Sequence, residues 1–405
     1  MSGGYTPWRC SPLTDWRAMV LVCGLSLAGW AHAQSISEPK AHLVTYGQGS
    51  EVWEWFGHNA LWLQDPDKGL NHTFSFGYFD IEEAGFYLRF IQGDMAYFGT
   101  AVQADREFEF YRRANRSIRV QTLNLNRAQF DRLHSLLVGA IEPYPRYYSY
   151  DYFLANCSTW LRDLLDETLD GAMSGQYQTI PGERTFRAHT HAQTHHQPWA
   201  QLGLMALLGP TANRPIQAWD EAFLPNVLAE QVAKVRLGDQ PLVVADEWLY
   251  QPDEPLAANA GSGLWRAPLW GVVFAGLLLW GGARGGWVSA VTRGLAVSGL
   301  SVGGFVVLGM WLLTAHDVVA RNPVVVMLHP VWLGLWPGLP RRVQTIAWGL
   351  CVLIVGLGSL GWLVSGAWPH RDVLVFVLPW ALAMLWVTRP NGSLGRRGVP
   401  ASAGG

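Results

Sequence analysis

The sequence predicts an α+β domain followed by an all-α membrane region of about five helices. Three observations carry that prediction. Short alternating strands come first along the chain, and an amphipathic helix follows them. Half of the 405 residues are hydrophobic, 15% are charged and 22 are tryptophan, which suits a part-globular, part-membrane chain and not one soluble domain. Beyond residue 260 five apolar runs follow one another, at about 265–282, 296–314, 323–339, 343–364 and 373–387, each near the length a helix needs to cross a hydrocarbon core. The formal net charge of −2 gives no nucleic-acid footprint.

Taken in order, the chain opens with Arg9 and Arg17, an apolar stretch and then Ala31-His32-Ala33. That is the pattern of a secretory signal with cleavage after Ala33, so 1–33 reads as a signal peptide. An uncleaved anchor is the other reading. A lipoprotein site at Cys23 is disfavoured, because Val22 precedes it where a small residue is needed. The exported domain spans 34–250. Strands are expected at 41–47, 55–63, 72–79 and 116–125 from their alternation. The second and third make a hairpin around Gln64-Asp65-Pro66-Asp67-Lys68-Gly69. Asn126 with Gln129 forms a capping box that opens a helix to about Ile141. A Pro-, Ala- and Gly-rich linker occupies 251–263, the membrane region 264–388 and the tail 389–405. Arg284, Arg293, Arg341, Arg342, Arg389, Arg396 and Arg397 fall on one side of five spans, against Arg321 and Arg371 on the other. The positive-inside rule then puts the tail in the cytoplasm and the N-terminal domain outside.

Chemistry concentrates at Cys157. Cys10 and Cys23 belong to the signal and Cys351 to an apolar run, so Cys157 is the one thiol of the exported domain and has no internal disulfide partner. Asn156 is a good N-cap, and the residues from Cys157 on read as an amphipathic helix. A thiol at a helix N-terminus faces unpaired N–H groups and the positive end of the dipole, which predicts a lowered pKa and a working nucleophile. A small buried hydrophobe is the alternative. Backbone N–H groups at Cys157 and Ser158 are candidates for an oxyanion hole.

A thiol acting on a carbonyl needs a base, and histidine serves best. His58, between Gly57 and Asn59 on an apolar strand, is the candidate. A third group should hold the imidazole tautomer. His72, Asn71 and Asp80, on or after the neighbouring strand, are the candidates, and sequence does not choose among them. His189, His191, His195 and His196 could bind zinc, but the segment lacks helical apolar periodicity and reads as a solvated loop, so neither metal nor cofactor is expected. Arg162 and Asp163 either orient substrate or fix the helix. His316, Asp317 and Asn322 sit in a loop at the outer end of the spans, where polar groups are often functional. The candidate substrate contacts are thus Asn156, Ser158, Arg162, His316, Asp317 and Asn322.

Several ordered motifs resemble the DUF4105 family, the periplasmic domain named after Lnb, a bacterial lipoprotein N-acyltransferase. They are Phe56-Gly57-His58-Asn59-Ala60, Phe76-Gly77-Tyr78-Phe79-Asp80, Gln92-Gly93, Asn115-Arg116-Ser117, Leu123-Asn124-Leu125, Phe223-Leu224-Pro225, and Tyr150-Asp151-Tyr152-Phe153-Leu154-Ala155-Asn156-Cys157-Ser158-Thr159-Trp160-Leu161-Arg162-Asp163. The resemblance spans about 46–249. His316-Asp317 with Asn322 is similar to a feature of the membrane tails of such proteins. The resemblance implies a permuted papain-like (NlpC/P60-like) fold in which the histidine precedes the cysteine, with His58 as base and Cys157 as nucleophile. It also implies transfer of an acyl chain from a lipid ester to a lipoprotein N-terminal amine, in the bacterial inner membrane, with a membrane lipid or lipoprotein as partner. Where the family often has arginine, this chain has Trp160. Two other readings stand beside it: a non-catalytic envelope protein that binds lipid or a partner, and a papain-like amidase or peptidase.

Overall fold

The computed structural model of the chain describes residues 38–253, 266–366 and 368–390. The expected signal peptide, most of the linker and the end of the tail lie outside the described residues. In the N-terminal domain the elements run β1 (Lys40–Tyr46), β2 (His58–Asp65), β3 (Leu70–Tyr78), α1 (Phe86–Gln92), β4 (Ala96–Gln103), α2 (Ala104–Arg113), β5 (Ile118–Leu123), α3 (Arg127–Ile141), β6 (Tyr147–Ser149), α4 (Cys157–Thr168), α5 (Ala172–Tyr177), α6 (Phe186–Gln193), α7 (Pro198–Leu207), α8 (Ala218–Glu221), α9 (Pro225–Lys234), a short β7–β8 pair (Arg236–Leu237, Gln240–Pro241) and β9 (Val243–Tyr250). Seven strands form one antiparallel sheet in the order β6-β4-β3-β2-β1-β5-β9. The alternation of β1, β2, β3 and β5 and the Asn126–Gln129 capping box are as the sequence predicts, with both reciprocal bonds of the box at 3.0 Å.

Because side chains alternate across a strand, the sheet has two apolar faces. Leu43, Leu61, Leu63, Phe74 and Phe76 pack on one face against Leu133 and Leu137 of α3, Leu161 and Leu165 of α4, and Leu228 and Val232 of α9. Val44, Tyr46, Ala60, Ile118 and Val120 meet Ala104, Phe108 and Tyr111 of α2 on the other. The nucleophile's helix thus lies on one face, and the His58 side of β2 looks towards α2.

The C-terminal region holds α10 (Arg266–Arg284), α11 (Gly286–Leu313), α12 (Arg341–Ser365) and α13 (Arg371–Thr388). By length and composition α11, α12 and α13 can each cross a membrane, and the apolar part of α10 is shorter. The expectation of five spanning helices is corrected at the third run. Residues 323–339 form two 3₁₀ turns, Pro323–Val326 and Pro330–Leu335, because Pro323, Pro330 and Pro337 lack the N–H that a continuous helix needs. This segment runs antiparallel along α11. Leu328 lies by Gly303, the His329 backbone by Gly304 and the Trp336 ring by Gly294.

The two regions share a core. Phe186, Leu202, Met205 and Phe223 of the N-terminal domain belong to the same apolar cluster as Leu278, Val297, Leu300, Trp332 and Val377. The domain is therefore packed onto the helices as well as tethered to them.

Candidate active site

Three local features bring Cys157 and the start of β2 together. The first is the cap. Asn156 Oδ1 accepts from Ser158 N at 2.9 Å and Thr159 N at 3.0 Å, and its Nδ2 donates to the carbonyls of Tyr152 and Phe223. The second is a partly opened sheet end. β1 and β2 stay paired to Tyr46↔His58, but the β2–β3 ladder stops at Leu61↔Phe74. The strand ends beyond it are left to the α4 N-terminus. The third is Gly77, at φ +95°, where β3 shifts register. A Cβ there would lie 3.8 Å from Cys157 Cβ and 3.6 Å from the Tyr150 ring, so a bare backbone leaves that space to the thiol.

Asn59, which follows His58, joins the parts. Its buried side chain donates to Thr45 Oγ1 at 2.8 Å, and its Oδ1 accepts from Ser158 Oγ at 2.8 Å. Its backbone N–H faces the Cys157 sulfur. Sequence reasoning passed over Asn59. The signal was a polar residue at an inward position of an apolar strand.

Burial pushes the Cys157 thiol up, and the N–H groups of Asn59, Ser158 and Cys157 pull it down without overcoming that. The expected lowering by the helix N-terminus is therefore reversed, because the thiol is desolvated. Burial lowers His58 to about 3, with the Arg116 guanidinium adding to the effect. Both shifts favour a neutral thiol beside a neutral imidazole. The His58 ring is held by aromatic neighbours: Tyr46 at 6.1 Å and Tyr111 at 6.4 Å stack with it, and Tyr78 meets it edge-on at 6.3 Å. Tyr78 and Tyr111 also feel the charge of Cys157. Among the described residues no hydrogen bond joins the thiol to the imidazole, and the sulfur's side-chain contact is Ser158 Oγ at 3.9 Å.

Two of the three expected third groups lie at the far end of the strand pair. His72 pairs with Leu63, five residues along β2 from His58, or roughly 17 Å at strand spacing. Asn71 accepts from Trp62 Nε1 at that same far end. Asp80 is exposed and accepts from Glu82 N. The buried carboxyl nearest the tyrosine set is Glu107, bonded by Thr73 Oγ1. Burial raises it to about 7, with the Tyr46 hydroxyl acting in the opposite direction. It was legible as a lone acid on the apolar stripe Ala104, Phe108, Tyr111. A raised carboxyl favours the folded state fully below its ordinary value of 4.5, and that contribution is lost as pH rises through about 7. Glu107→Gln should therefore stabilise the protein by about 2 kcal/mol at pH 8 and leave it nearly unchanged at pH 5. Thermal unfolding at the two pH values checks this; equal shifts at both would show a carboxyl that titrates normally.

Apart from the exposed Asp317, the other predicted contacts bond within the protein. Asn156 and Ser158 are buried and spend their polar atoms on the cap and on Asn59, so they position the nucleophile. Ser158 N–H, taken by Asn156, is not a free oxyanion donor. Arg162 lies over Trp219 at 4.1 Å, donates to its carbonyl and pairs with Asp163, which is the helix-fixing role. Trp160 stacks on Phe76 at 5.1 Å and lines, with Tyr148, Thr159 and Asp163, a depression of about 330 Å³ beside α4. His316 Nε2 bonds Phe90 O, Asn322 bonds the carbonyls of Ala206 and Leu207, and Asp317 is exposed.

His189 and His191 belong to the helix α6 and not to a loop, while His195 and His196 lie in the turn that follows it. His189 bonds Glu221 and His191 bonds Asp372 at 2.9 Å. His191, His370 and Asp372 bring one ligand atom each within 4.8 Å and could hold a metal. They stand at the junction with α13 and not among the residues around Cys157.

Residues 27–191 match the family model of the Lnb N-terminal periplasmic domain, a stretch that contains His58, Asn59, Gly77, Glu107 and Cys157. No curated protein and no solved structure matches the chain. The match supports an Lnb-type N-terminal domain. With the apolar helices it describes a membrane protein with a periplasmic domain.

Proposed function

We propose that the chain is a membrane-tethered cysteine acyltransferase that moves an acyl chain from a lipid ester to the N-terminal amine of a lipoprotein, in the bacterial inner membrane. The observation that carries this reading is the α4 N-terminus set against the opened end of β2, with the Asn59 N–H facing the Cys157 sulfur and His58 next along the strand. A sheet carrying the histidine and a later helix carrying the cysteine fit the permuted papain-like arrangement. Five crossings also fit: α10, α11, the 3₁₀ segment, α12 and α13. Irregular backbone is tolerated at membrane depth when protein covers it, and Trp332 and Leu335 are buried.

Neutral His58 takes the proton of Cys157 as sulfur attacks the ester carbonyl. The oxyanion meets the N–H groups of Cys157 and Asn59. Collapse breaks the acyl–oxygen bond, His58 returns the proton to the leaving alcohol, and a thioester remains. The amine then attacks the thioester, loses its proton through His58 to the departing sulfur, and leaves as amide. Ester and amine become alcohol and amide, and the thiol is restored.

The full-length protein in vesicles, given a lipid with a labelled acyl ester and no amine, should accumulate that label on Cys157 as a hydroxylamine-labile adduct. Transfer without any such adduct would exclude the thioester route. Because His58 stays neutral above about pH 4, kcat/KM should show no acid limb between pH 5.5 and 7.5. An inflection near pH 6.5 would mean an imidazole with its ordinary basicity.

A further inference from the structure

We propose that α1 is a membrane-dipping element whose apolar side contacts the acyl region of the outer leaflet and conducts a lipid chain towards Cys157; this rests on the acyltransferase reading for its purpose, but not for its geometry. In a water-bathed domain α1 would be anomalous. Tyr87 is 65% exposed, Leu88 61% and Ile91 55%, on a seven-residue helix whose single charge, Arg89, is paired with Glu83 at 2.5 Å. Exposed apolar side chains gathered on one element mark an interaction surface.

The occupant follows from what α1 is joined to. Gln92 O accepts from Ala315 N at 2.7 Å, and Phe90 O meets His316 Nε2 at 3.0 Å. Gly93, at φ +84°, packs its Cα against the Ala315–His316 backbone, where a Cβ would come within 3.1 Å. Ala315 lies two residues past Leu313, which with Leu312 is exposed at the end of the membrane-length helix α11. Two residues of chain span at most about 7 Å. The end of α1 is therefore fastened at the level where α11 leaves the hydrocarbon, and its free apolar side meets lipid. Tyrosines and tryptophans favour that depth, and Trp53, 59% exposed, stands edge-on to Phe79, the ring on which Phe86 of α1 stacks.

A run of rings leads from this helix to the thiol. Phe86 stacks on Phe79 at 5.3 Å, Phe79 meets Tyr97 at 5.0 Å, and Tyr97 stacks on Tyr150 at 4.3 Å. Tyr150 borders the space over Gly77 that Cys157 also borders. Apolar ring faces suit an acyl chain and offer it no competing charge.

The test uses the full-length protein carrying p-benzoylphenylalanine at Leu88, at Ile91 or, as control, at Val244, which is exposed on the opposite edge of the sheet. It is reconstituted in phosphatidylethanolamine–phosphatidylglycerol vesicles whose acyl chains carry an alkyne. Lipid adducts from positions 88 and 91, at least tenfold above position 244, are expected. Equal adducts at all three, or none at 88 and 91, overturn the proposal, as does cross-linking of those positions to protein in place of lipid. In parallel, Leu88→Glu with Ile91→Glu should lower acyl transfer from membrane lipid about tenfold and leave alkylation of Cys157 unchanged; transfer at the unmodified rate would exclude a conducting role. Lipid adducts in a protein whose Cys157→Ser variant still transfers acyl chains would overturn the enzymatic reading while the membrane contact stood.

Discussion

Cys157→Ser in the full-length protein is expected to lower acyl transfer by about 10⁴-fold or more, His58→Ala by a comparable factor, and the double variant little further. The reason is the resting state of the pair. Burial keeps the Cys157 thiol protonated and His58 neutral, so attack requires the proton to move as the carbon–sulfur bond forms. Without His58 a protonated, partly buried thiol has no acceptor for its proton, and without the sulfur His58 has nothing to activate. Groups that act as one unit lose their effect together. The measurement is transfer of a labelled acyl chain in vesicles, with folding followed by the elution of each variant in detergent. Two single losses that multiply in the double variant would show that the groups act apart. The same resting state predicts that iodoacetamide labels Cys157 slowly below neutral pH and faster as pH rises above 8, since only the thiolate reacts. Rapid labelling at pH 6 would mean that the helix N-terminus prevails over burial.

The parts of this site legible in the sequence are those fixed locally. The Asn156 cap predicts the start of α4, and alternation predicts the strand that carries His58. Burial is a property of packing from both sheet faces and α2, and that packing reverses the inference about the thiol. His72 and Asn71 lie away from His58 for a different reason. Nearness in sequence to a neighbouring strand says nothing about register, and the hairpin carries residue 72 away from residue 58. In α6 the histidines conceal a helix because, apart from Phe186, its buried residues are Arg187, His189 and Thr190, polar groups satisfied by contacts such as Glu221. The 323–339 run has the hydropathy of a span, and its prolines carried the contrary signal. Glu107 and Asn59 were readable as polar residues at apolar positions.

Arg187→Met is expected to destabilise the full-length protein by about 3 kcal/mol and to separate the soluble domain's chemistry from the membrane substrate. The buried Arg187 guanidinium donates to the carbonyls of Met205, Leu208 and Gly209 and to Asn213 Oδ1. These carbonyls belong to the end of α7, where a helix leaves its last acceptors unpaired. Asn322, from the loop after α11, takes the two that lie between, Ala206 and Leu207, and Gly209 N bonds Val318 O at 2.6 Å. One side chain from the domain and one from the membrane region thus finish the same helix end. Burial lowers Arg187 to about 10, so it remains charged at neutral pH, and hydrogen bonds from a charged donor are worth about 1.5–3 kcal/mol each before relaxation. Asn322→Ala removes three neutral bonds, the two to α7 and the cap in which Asn322 Oδ1 accepts from Val324 N, and should cost about 2–3 kcal/mol. The two losses should not add, because both variants free the same α7 terminus. Thermal unfolding in detergent reads the first effect. The second is a loss of transfer from vesicle lipid larger than the loss with a short-chain, water-soluble ester, since α7 holds the domain over the spans through Leu202 and Met205. For the same reason a fragment covering 34–255 is expected to aggregate, in place of the free-standing reactive domain that a flexible linker alone would permit. A soluble, monomeric fragment with Cys157 reactive, together with an unchanged melting temperature for Arg187→Met, would show that the shared core is not what holds domain and membrane region together.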